Sequence, residues 1–370
     1  MKHTIKVVVT LTMVFVMVLS LAGCGAQKMD KHVEVISKGF QHEFWQAVKK
    51  GADDAAADSG WTINFVGPET ESDVSDQVDM LADAVNKNPS AIAFAALDTQ
   101  AALEELNKAQ NQDIPIVAFD SGVPDAPTGM ILGTIATDNY AAGALGAEEM
   151  YKGIKADTTT GTEQRATLEH LQAATADSKF RVGVVAQDQI SDSLYQRTRG
   201  YVETLVALVE ADGYDVAVVG NGSKDGISPM GNEDSAVVVI DVQVAVDTTL
   251  AECAAAAQSI FQKDDLKAVF TPNQGGVDGI IAVADTHEES WLKNTYKVTG
   301  FDAGEAQKAQ IESGNFYGSI TQDPYTMGYE TVMACIAAAE GKSVTDLPLD
   351  GRWYNADNMN DADISILLYD

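Results

Sequence analysis

The chain has 370 residues, of which 45% are hydrophobic, and its formal net charge is −31 at pH 7. This length suits two domains of ordinary size, and the apolar content excludes a disordered chain. The negative charge argues against nucleic acid as a partner and against electrostatic docking on anionic lipid, because both interactions need a basic face.

The N-terminus has the features of a lipoprotein signal. Lys2 and Lys6 precede an apolar run of 16 residues, which is short for a membrane span of about 20 residues. The run ends in LAGC, which resembles the bacterial lipobox, a signal that is cleaved before a cysteine carrying diacylglycerol. We therefore expect a signal peptide over 1–23, lipidation at Cys24, and a lipid-anchored linker over 24–31 on the extracytoplasmic side. A plain signal peptide or a membrane anchor is the alternative.

Beyond this signal, short apolar runs alternate with stretches in which apolar residues recur three and four apart. This alternation predicts an α/β fold of parallel sheets with helices on both faces. Gly60 and Pro89 mark the ends of the first two helices. A pause over 125–138 predicts the boundary between two doubly wound lobes. The predicted strands are HVEVIS, TINFVG, AIAFAA, PIVAFD, RVGVVA, DVAVVG, AVFTPN, KVTGFD and GSITQ.

Two stretches interrupt this rhythm. Residues 155–179 are polar and Thr-rich, and part of them is expected to be helical. Residues 220–243 are rich in Gly, Asn and Asp and then strongly β-like, which favours a loop or hairpin inserted between a strand and its next helix. Cys253 and Cys335 lie in Ala-rich helical stretches without a CxxC partner, so we expect buried thiols, with a disulfide between them as the open alternative.

Six stretches, taken in chain order, carry a resemblance to a known family. They are FWQAVKKGADDAA, IPIVAFDSGV, ATDNYAAGALGAEEM, QRTRGYVETL, LKAVFTPNQGGVDGIIAVAD and VTGFDAGEAQKAQIESGNFYGSITQDPYTMGY. Together they resemble the type I periplasmic binding proteins of sugar ABC transporters, close to the ribose- and galactose-binding group, from about residue 32 to the C-terminus. The resemblance implies two lobes joined by a three-segment hinge, with ligand in the cleft between them. The N-terminal lobe would comprise 32–138 and 323–350, and the C-terminal lobe 139–322 and 351–370.

A sugar presents hydroxyls and an apolar C–H face, so its site needs planar polar side chains and an aromatic plate. Phe44 and Trp45 follow the first strand, and we expect one ring to face the cleft while the other packs beneath the helix. On this interpretation Trp45→Ala should abolish binding with little loss of fold. The polar candidates at the same strand end are Lys38, Gln41 and His42.

The resemblance implies further ligand contacts at matching positions. Ser121 stands where ribose binders often have arginine, which makes ribose itself a poorer candidate. Gly275 and Gly276 depart from the family pattern, and we expect them to enlarge the site. The implied contacts are Asp120, Arg197, Asn273, Asp302 and Gln322.

The resulting hypothesis is a lipid-anchored extracytoplasmic protein that captures a monosaccharide or related polyol and delivers it to an ABC permease. It would be a monomer without catalytic residues, metal or cofactor. A nucleoside or signalling-furanone receptor, or a sensor feeding a histidine kinase, is the alternative among binding proteins. An enzyme on the same layout is a further alternative. A repressor of the lac-repressor type would need a helix-turn-helix where the signal lies, and the acidity opposes DNA binding.

Overall fold

A computed structural model describes residues 31–40, 42–158 and 166–369. From His32 onward the chain forms one compact unit. The predicted signal peptide, the lipidation site Cys24 and the candidate ligand contact Gln41 lie outside the described residues. Within the described ranges, no helix combines the length and the apolar character needed to cross a membrane.

Strands and helices alternate along the described chain, and all nine predicted strands are present, so the α/β class is confirmed. The strands are β1 (His32–Ile36), β2 (Thr62–Val66), β3 (Ala91–Phe94), β4 (Ile116–Phe119), β5 (Thr134–Thr137), β6 (Phe180–Ala186), β7 (Val216–Gly220), β8 (Val238–Val244), β9 (Leu266–Phe270), β10 (Lys297–Phe301), β11 (Gly318–Thr321), β12 (Leu347–Leu349) and β13 (Arg352–Tyr354). The helices are α1 (Glu43–Ser59), α2 (Val74–Lys87), α3 (Leu103–Asn111), α4 (Asn139–Ala156), α5 (Leu168–Ala173), α6 (Asp192–Ala211), α7 (Leu250–Phe261), α8 (Gln274–Ala284), α9 (Trp291–Thr295), α10 (Glu305–Glu312), α11 (Pro324–Ala339) and α12 (Ala362–Ser365).

Two sheets organise the described chain. The first has six strands in the order β12-β5-β4-β3-β1-β2, and all its neighbouring pairs are parallel. The second has seven strands in the order β13-β11-β10-β9-β6-β8-β7, and only the edge strand β13 is antiparallel to its neighbour. We call the first sheet with its helices the first lobe and the second sheet with its helices the second lobe.

The chain passes between the sheets three times: from β5 to β6, from β11 to β12, and from β12 to β13. This pattern is the three-segment connection that the resemblance implies. Because parallel strands run in one direction, the loops after their carboxyl ends gather along one edge of each sheet. Those loops carry most of the candidate ligand contacts.

Helix α1 shows why the local prediction works. Its buried residues recur at spacings of three and four, so one stripe of the helix faces the core. It ends at Gly60, which adopts a left-handed conformation with φ 68° and closes the helix. The fully or nearly buried side chains of this stripe are Phe44, Trp45, Val48, Ala52 and Ala55.

Two stretches predicted to interrupt the alternation of strands and helices, 125–138 and 220–243, each contribute a sheet strand that is not among the nine predicted strands. The pause over 125–138 contains β5, a short strand that pairs with both β4 and β12. The insertion over 220–243 is not a hairpin, because β8 lies inside the sheet between β6 and β7 and is parallel to both. Its β-like residues are buried on both faces, as expected of an interior parallel strand. In the 155–179 stretch, the described part includes the helix α5.

Helices α4 and α6 approach each other closely at two glycines. A Cβ on Gly143 would lie 2.0 Å from the carbonyl oxygen of Arg197, and a Cβ on Gly200 would lie 2.1 Å from that of Tyr140. Only glycine permits these backbone contacts. The crossing holds the backbone of Arg197 against α4, which begins where the chain leaves the first sheet.

Both cysteines of the described chain are free and buried. Cys253 lies on α7 and Cys335 on α11, and neither side chain is exposed to solvent. The expectation of buried thiols is therefore confirmed, and the alternative of a disulfide between them is not.

Candidate functional site

A small polar cavity lies where the loops after several strands of both lobes meet. Its volume is about 20 Å³, which admits roughly one water molecule. Nine of the ten candidate ligand contacts line it, and the tenth, Gln41, lies outside the described residues. The lining residues are Lys38, His42, Phe44, Trp45, Glu71, Asp120, Leu194, Arg197, Asn273, Asp302 and Gln322.

Strand ends position most of the polar groups. Lys38 follows β1 and Asp120 follows β4 in the first lobe. Asn273, Asp302 and Gln322 follow β9, β10 and β11 in the second. All five side chains are at least 95% buried, so the cavity is lined by polar groups that are withdrawn from water.

Arg197 is the centre of a hydrogen-bond chain in the second lobe. Its Nη2 donates to Gln322 Oε1 at 2.7 Å, and Gln322 Nε2 donates to Asp302 Oδ1 at 2.6 Å. Its Nε donates to Asn139 Oδ1 at 2.7 Å, and the guanidinium lies over the Phe301 ring at 4.1 Å from the ring centroid. These contacts fix the planar guanidinium at the cavity wall.

Lys38 joins the two lobes from the other side of the cavity. Its Nζ lies 3.4 Å from Asp120 Oδ2 and donates to Ser193 Oγ at 3.3 Å. Burial disfavours the charged amine, but the nearby carboxylates of Glu71, Asp120 and Asp188 outweigh this effect and raise the pKa of Lys38. Lys38 is therefore a cation at neutral pH in spite of its burial.

The pKa of the Asp120 carboxyl is set by burial and by neighbouring charges of both signs. Burial raises the pKa of its carboxyl, and Lys38 and Arg197 offset that effect only in part, since Glu71 and Asp302 oppose them. Arg197 Nη2 lies 3.9 Å from Asp120 Oδ1, beyond hydrogen-bond distance. Oδ2 is buried and accepts no hydrogen bond from the described residues.

Phe44 and Trp45 both line the cavity, and both also belong to the hydrophobic core. Their rings pack edge to face at 4.9 Å, and Trp45 meets Phe119 in the same way at 6.2 Å. Trp45 is only 1% exposed and donates from Nε1 to Glu71 Oε1 at 3.0 Å. We expected one ring to face the cleft and the other to pack beneath the helix. This division is wrong, because Phe44 and Trp45 each line the cavity and each pack in the hydrophobic core.

Glu71 and Gln187 are central residues that the sequence prediction missed. Gln187 Nε2 donates to Glu71 Oε2 at 2.9 Å across the two lobes, and Asn273 Nδ2 donates to Gln187 Oε1 at 2.9 Å. Burial opposes ionisation of Glu71, but Lys38 and hydrogen bonds from Trp45 and Gln187 hold the pKa of its carboxyl below the ordinary value. Glu71 lies in the loop after β2, and no local feature of the sequence distinguishes it from other acidic loop residues.

The two glycines after Asn273 do not enlarge the central cavity. A Cβ on Gly275 would lie 1.6 Å from Gln187 Oε1, and one on Gly276 would lie 1.9 Å from Thr271 Oγ1. On the side of the central cavity, these polar side chains occupy the expected extra space. Gly275 is needed because the Gln187 amide approaches the backbone closely at the start of α8.

Comparisons with known proteins agree with this architecture. The family described as periplasmic binding protein domain matches residues 33–343. The D-allose-binding periplasmic protein of Escherichia coli (strain K12) is 30% identical over 117 residues, which span 30% of this chain and 38% of that relative. The chain thus aligns with well under half the length of this relative.

Solved structures match over nearly the whole chain. A structure from Brachyspira murdochii, described as an ABC transporter and LacI family transcriptional regulator, is 31% identical with a TM-score of 0.74. The match covers 92% of this chain and 99% of that chain. A solute-binding protein from Agrobacterium vitis, bound with alpha-D-tagatopyranose, is 22% identical with a TM-score of 0.72 over 92% and 99% of the two chains, and this likeness concerns the fold alone.

The matched range and the two-lobed fold together confirm the resemblance seen in the sequence. This family consists of solute-binding proteins and not of enzymes. The chain belongs to the periplasmic binding protein domain family.

Proposed function

We propose that the protein is a lipid-anchored extracytoplasmic receptor that binds a monosaccharide or related polyol between its lobes and delivers it to an ABC permease. The relatives named for D-allose and tagatopyranose binding support a sugar as the solute. The family match supports a location outside the cytoplasm. The lipobox ending at Cys24 supports the anchor.

The hydrogen bonding of the Asp120 carboxylate is the observation that carries the proposal. Its Oδ2 is buried at the lobe interface yet accepts no hydrogen bond from the described residues. A buried acceptor without a hydrogen bond is costly, even though the ion-pair partner Lys38 Nζ lies 3.4 Å from this oxygen. A sugar hydroxyl would supply the missing donor, and Lys38 and Arg197 beside it would orient the neighbouring hydroxyls.

The charges of the cavity favour a neutral solute. Its lining has two cations, Lys38 and Arg197, and three carboxylates, Glu71, Asp120 and Asp302. The cations already have partners, so an anionic ligand would meet excess negative charge. The Phe44 and Trp45 rings provide an apolar wall for the C–H face of a sugar.

Binding would be coupled to movement of the lobes. Because the cavity is only about 20 Å³, a sugar enters when the contacts across the lobes, Glu71 with Gln187 and Lys38 with Ser193, are released. The sugar hydroxyls then replace those partners and contact both lobes together. A ligand that contacts both lobes only when they are close shifts the population toward the closed state, which a permease can recognise.

Soluble chain 25–370 tests the proposal in a thermal-shift screen of monosaccharides, polyols and nucleosides, with calorimetry of the best ligand. We expect a sugar or polyol to bind and Asp120→Asn to weaken it by at least about tenfold. Asp113→Asn is the matched control, because Asp113 also has positive φ but is exposed and does not line the cavity. A nucleoside as the best ligand, or equal affinity of Asp120→Asn and wild type, would overturn the proposal.

The anchor has its own test. Wild-type full-length chain expressed in bacteria should partition into the detergent phase and carry the mass of a diacylglycerol. Cys24→Ala should lose both properties while ligand binding by the folded part is retained. Membrane association that persists without the cysteine would contradict lipidation and favour an uncleaved anchor.

A further inference from the structure

A second, larger cavity lies beside the central one. Its volume is about 540 Å³, and His42 lines both cavities. The lining comes from both lobes, because His42 follows β1, Thr70 and Ser72 follow β2, and the remaining residues follow strands of the second sheet. We call this space the outer cavity, and its lining residues are His42, Thr70, Ser72, Thr248, Thr249, Leu250, Gly275, Asp278, Ile281, Ala282, Asp285 and Ala306.

The outer cavity combines an apolar floor with hydroxyl and carboxylate groups. Leu250, Ile281 and Ala282 provide aliphatic surface on α7 and α8. Ser72 Oγ and Thr248 Oγ1 lie 2.7 Å apart, so a hydrogen bond joins the two lobes at this cavity. Aliphatic surface with scattered polar groups is the composition expected of a site for a second sugar ring or a related hydroxylated group.

Asp278 is a largely buried acidic residue of this cavity, whereas Asp285 in the same lining is exposed. Among the described residues its carboxylate neither accepts a hydrogen bond nor forms an ion pair, although much of the residue is buried against α8 and the cavity wall. Burial raises the pKa of Asp278 to about 6. The cavity lining contains no lysine or arginine, and the charge of His42 in the same lining offsets the effect of burial on Asp278 only in part. A ligand that donates a hydrogen bond would satisfy it, whereas an anionic ligand would be repelled by Asp278 and Asp285.

We propose that the cleft takes a solute longer than one sugar ring, namely a disaccharide or an uncharged glycoside. Its first ring binds in the central cavity, and its second unit lies past His42 in the outer cavity, with a hydroxyl donating to Asp278. This inference rests on the proposed function, because the first ring uses the sugar site described above. Beyond the proposed function, the inference specifies that the ligand is longer than one sugar ring and that its second unit carries no negative charge.

Calorimetry with matched ligands and a cavity-filling variant tests the inference. The ligands are neutral monosaccharides, the neutral disaccharides that contain them, and disaccharides that carry a uronic acid. Ala282→Phe fills the outer cavity from α8 at a partly exposed position. Ala251→Phe is the matched control, because Ala251 is exposed on the neighbouring helix α7 and does not line the cavity. Thermal melting of each variant verifies that it is folded.

We expect the best neutral disaccharide to bind at least about tenfold more tightly than its monosaccharide. Ala282→Phe and Asp278→Asn should remove most of that advantage and leave monosaccharide affinity within about twofold, while Ala251→Phe changes neither. Equal affinity for both sizes of ligand, or an advantage that survives Ala282→Phe, would overturn the inference and leave the proposed function intact. If no sugar of either size binds, both proposals fail.

Discussion

Asp120 and Asp302 occupy corresponding positions in the two lobes and line the same cavity. Each is the first residue after a fully buried strand, β4 or β10, and each has a positive φ, 55° and 76°. Left-handed backbone at a non-glycine residue is uncommon and carries strain, although aspartate tolerates it better than most residues. The shared conformation turns one carboxylate from each sheet toward the space between the lobes.

Asp302→Asn should weaken sugar binding and modestly lower the stability of the folded protein, because both oxygens of the buried carboxylate accept internal hydrogen bonds. Asparagine keeps the shape and tolerates the positive φ, but it loses the oxygen that accepts from the Gln274 backbone amide at 2.9 Å. We expect a loss of about 1–3 kcal/mol in binding free energy by calorimetry, or about tenfold or more in Kd. Unchanged affinity in a variant that is still folded would exclude Asp302 from the ligand contacts.

Trp45→Ala should damage the fold as well as the site. Because the side chain is 1% exposed and packs against Phe44 and Phe119, its removal should cost about 3–5 kcal/mol in the free energy of unfolding. The burial of Trp45 argues against the expectation that its removal would cause little loss of fold. Trp45→Phe, which keeps a ring but loses the hydrogen bond to Glu71, should cost less. Urea unfolding measures both, and an alanine variant as stable as wild type would contradict the core role.

Gly275→Ala should act through Gln187. The new methyl group would displace the Gln187 amide, which holds Glu71 and Asn273 together across the lobes. We expect weaker ligand binding and a lower melting temperature. In a Gln187→Ala background the methyl group has room, so the same substitution should add little further effect. Additive losses in this double-mutant cycle would show that the contact with Gln187 is not the cause.

Asp278 should make the protein less stable as pH rises from about 4 to 6. Its folded pKa of about 6 lies above the ordinary value of an aspartate, because burial and the negative charges of Glu43 and Asp302 raise it and outweigh the opposing effect of His42. Between those pH values the native state binds more protons than the unfolded state, so the free energy of unfolding falls as pH increases.

Asp278→Asn should remove this dependence. The variant should be more stable than wild type at pH 8 by about 1–3 kcal/mol, with a difference that shrinks toward pH 4. Urea unfolding at several pH values measures the effect. Asp285→Asn, at an exposed neighbouring position, is the control and should follow the wild-type profile. A constant difference at all pH values would show that Asp278 does not titrate as stated.

Cys253 and Cys335 should resist thiol reagents in the native protein. Both are buried, and burial raises the pKa of Cys253 to about 12 and that of Cys335 well above its ordinary value. In chain 25–370, labelling followed by mass spectrometry should show two modified thiols after unfolding and almost none before. A mass that increases only after reduction would instead indicate a disulfide.

The strand ends show how far the sequence prediction reached. Lys38, Asp120 and Asp302 follow apolar runs, and parallel strands bring such positions to one edge whatever the details of packing. The same reasoning did not identify Glu71, because nothing local distinguishes it from other acidic loop residues. Its role depends on Trp45 and Gln187, which approach it from distant parts of the chain.

The amino-acid sequence by itself determined the α/β class and the positions of nine strands along the chain, because hydrophobic periodicity is a local property, and its resemblance to a known family implied most of the polar residues at the cleft. The tertiary structure decided that β8 enters the sheet as an interior strand and that Gln187 occupies the space beside Gly275. It also decided that His42 lines both the small central cavity and the larger outer cavity. These features depend on contacts between residues far apart in the chain, and such contacts form only when both lobes have packed.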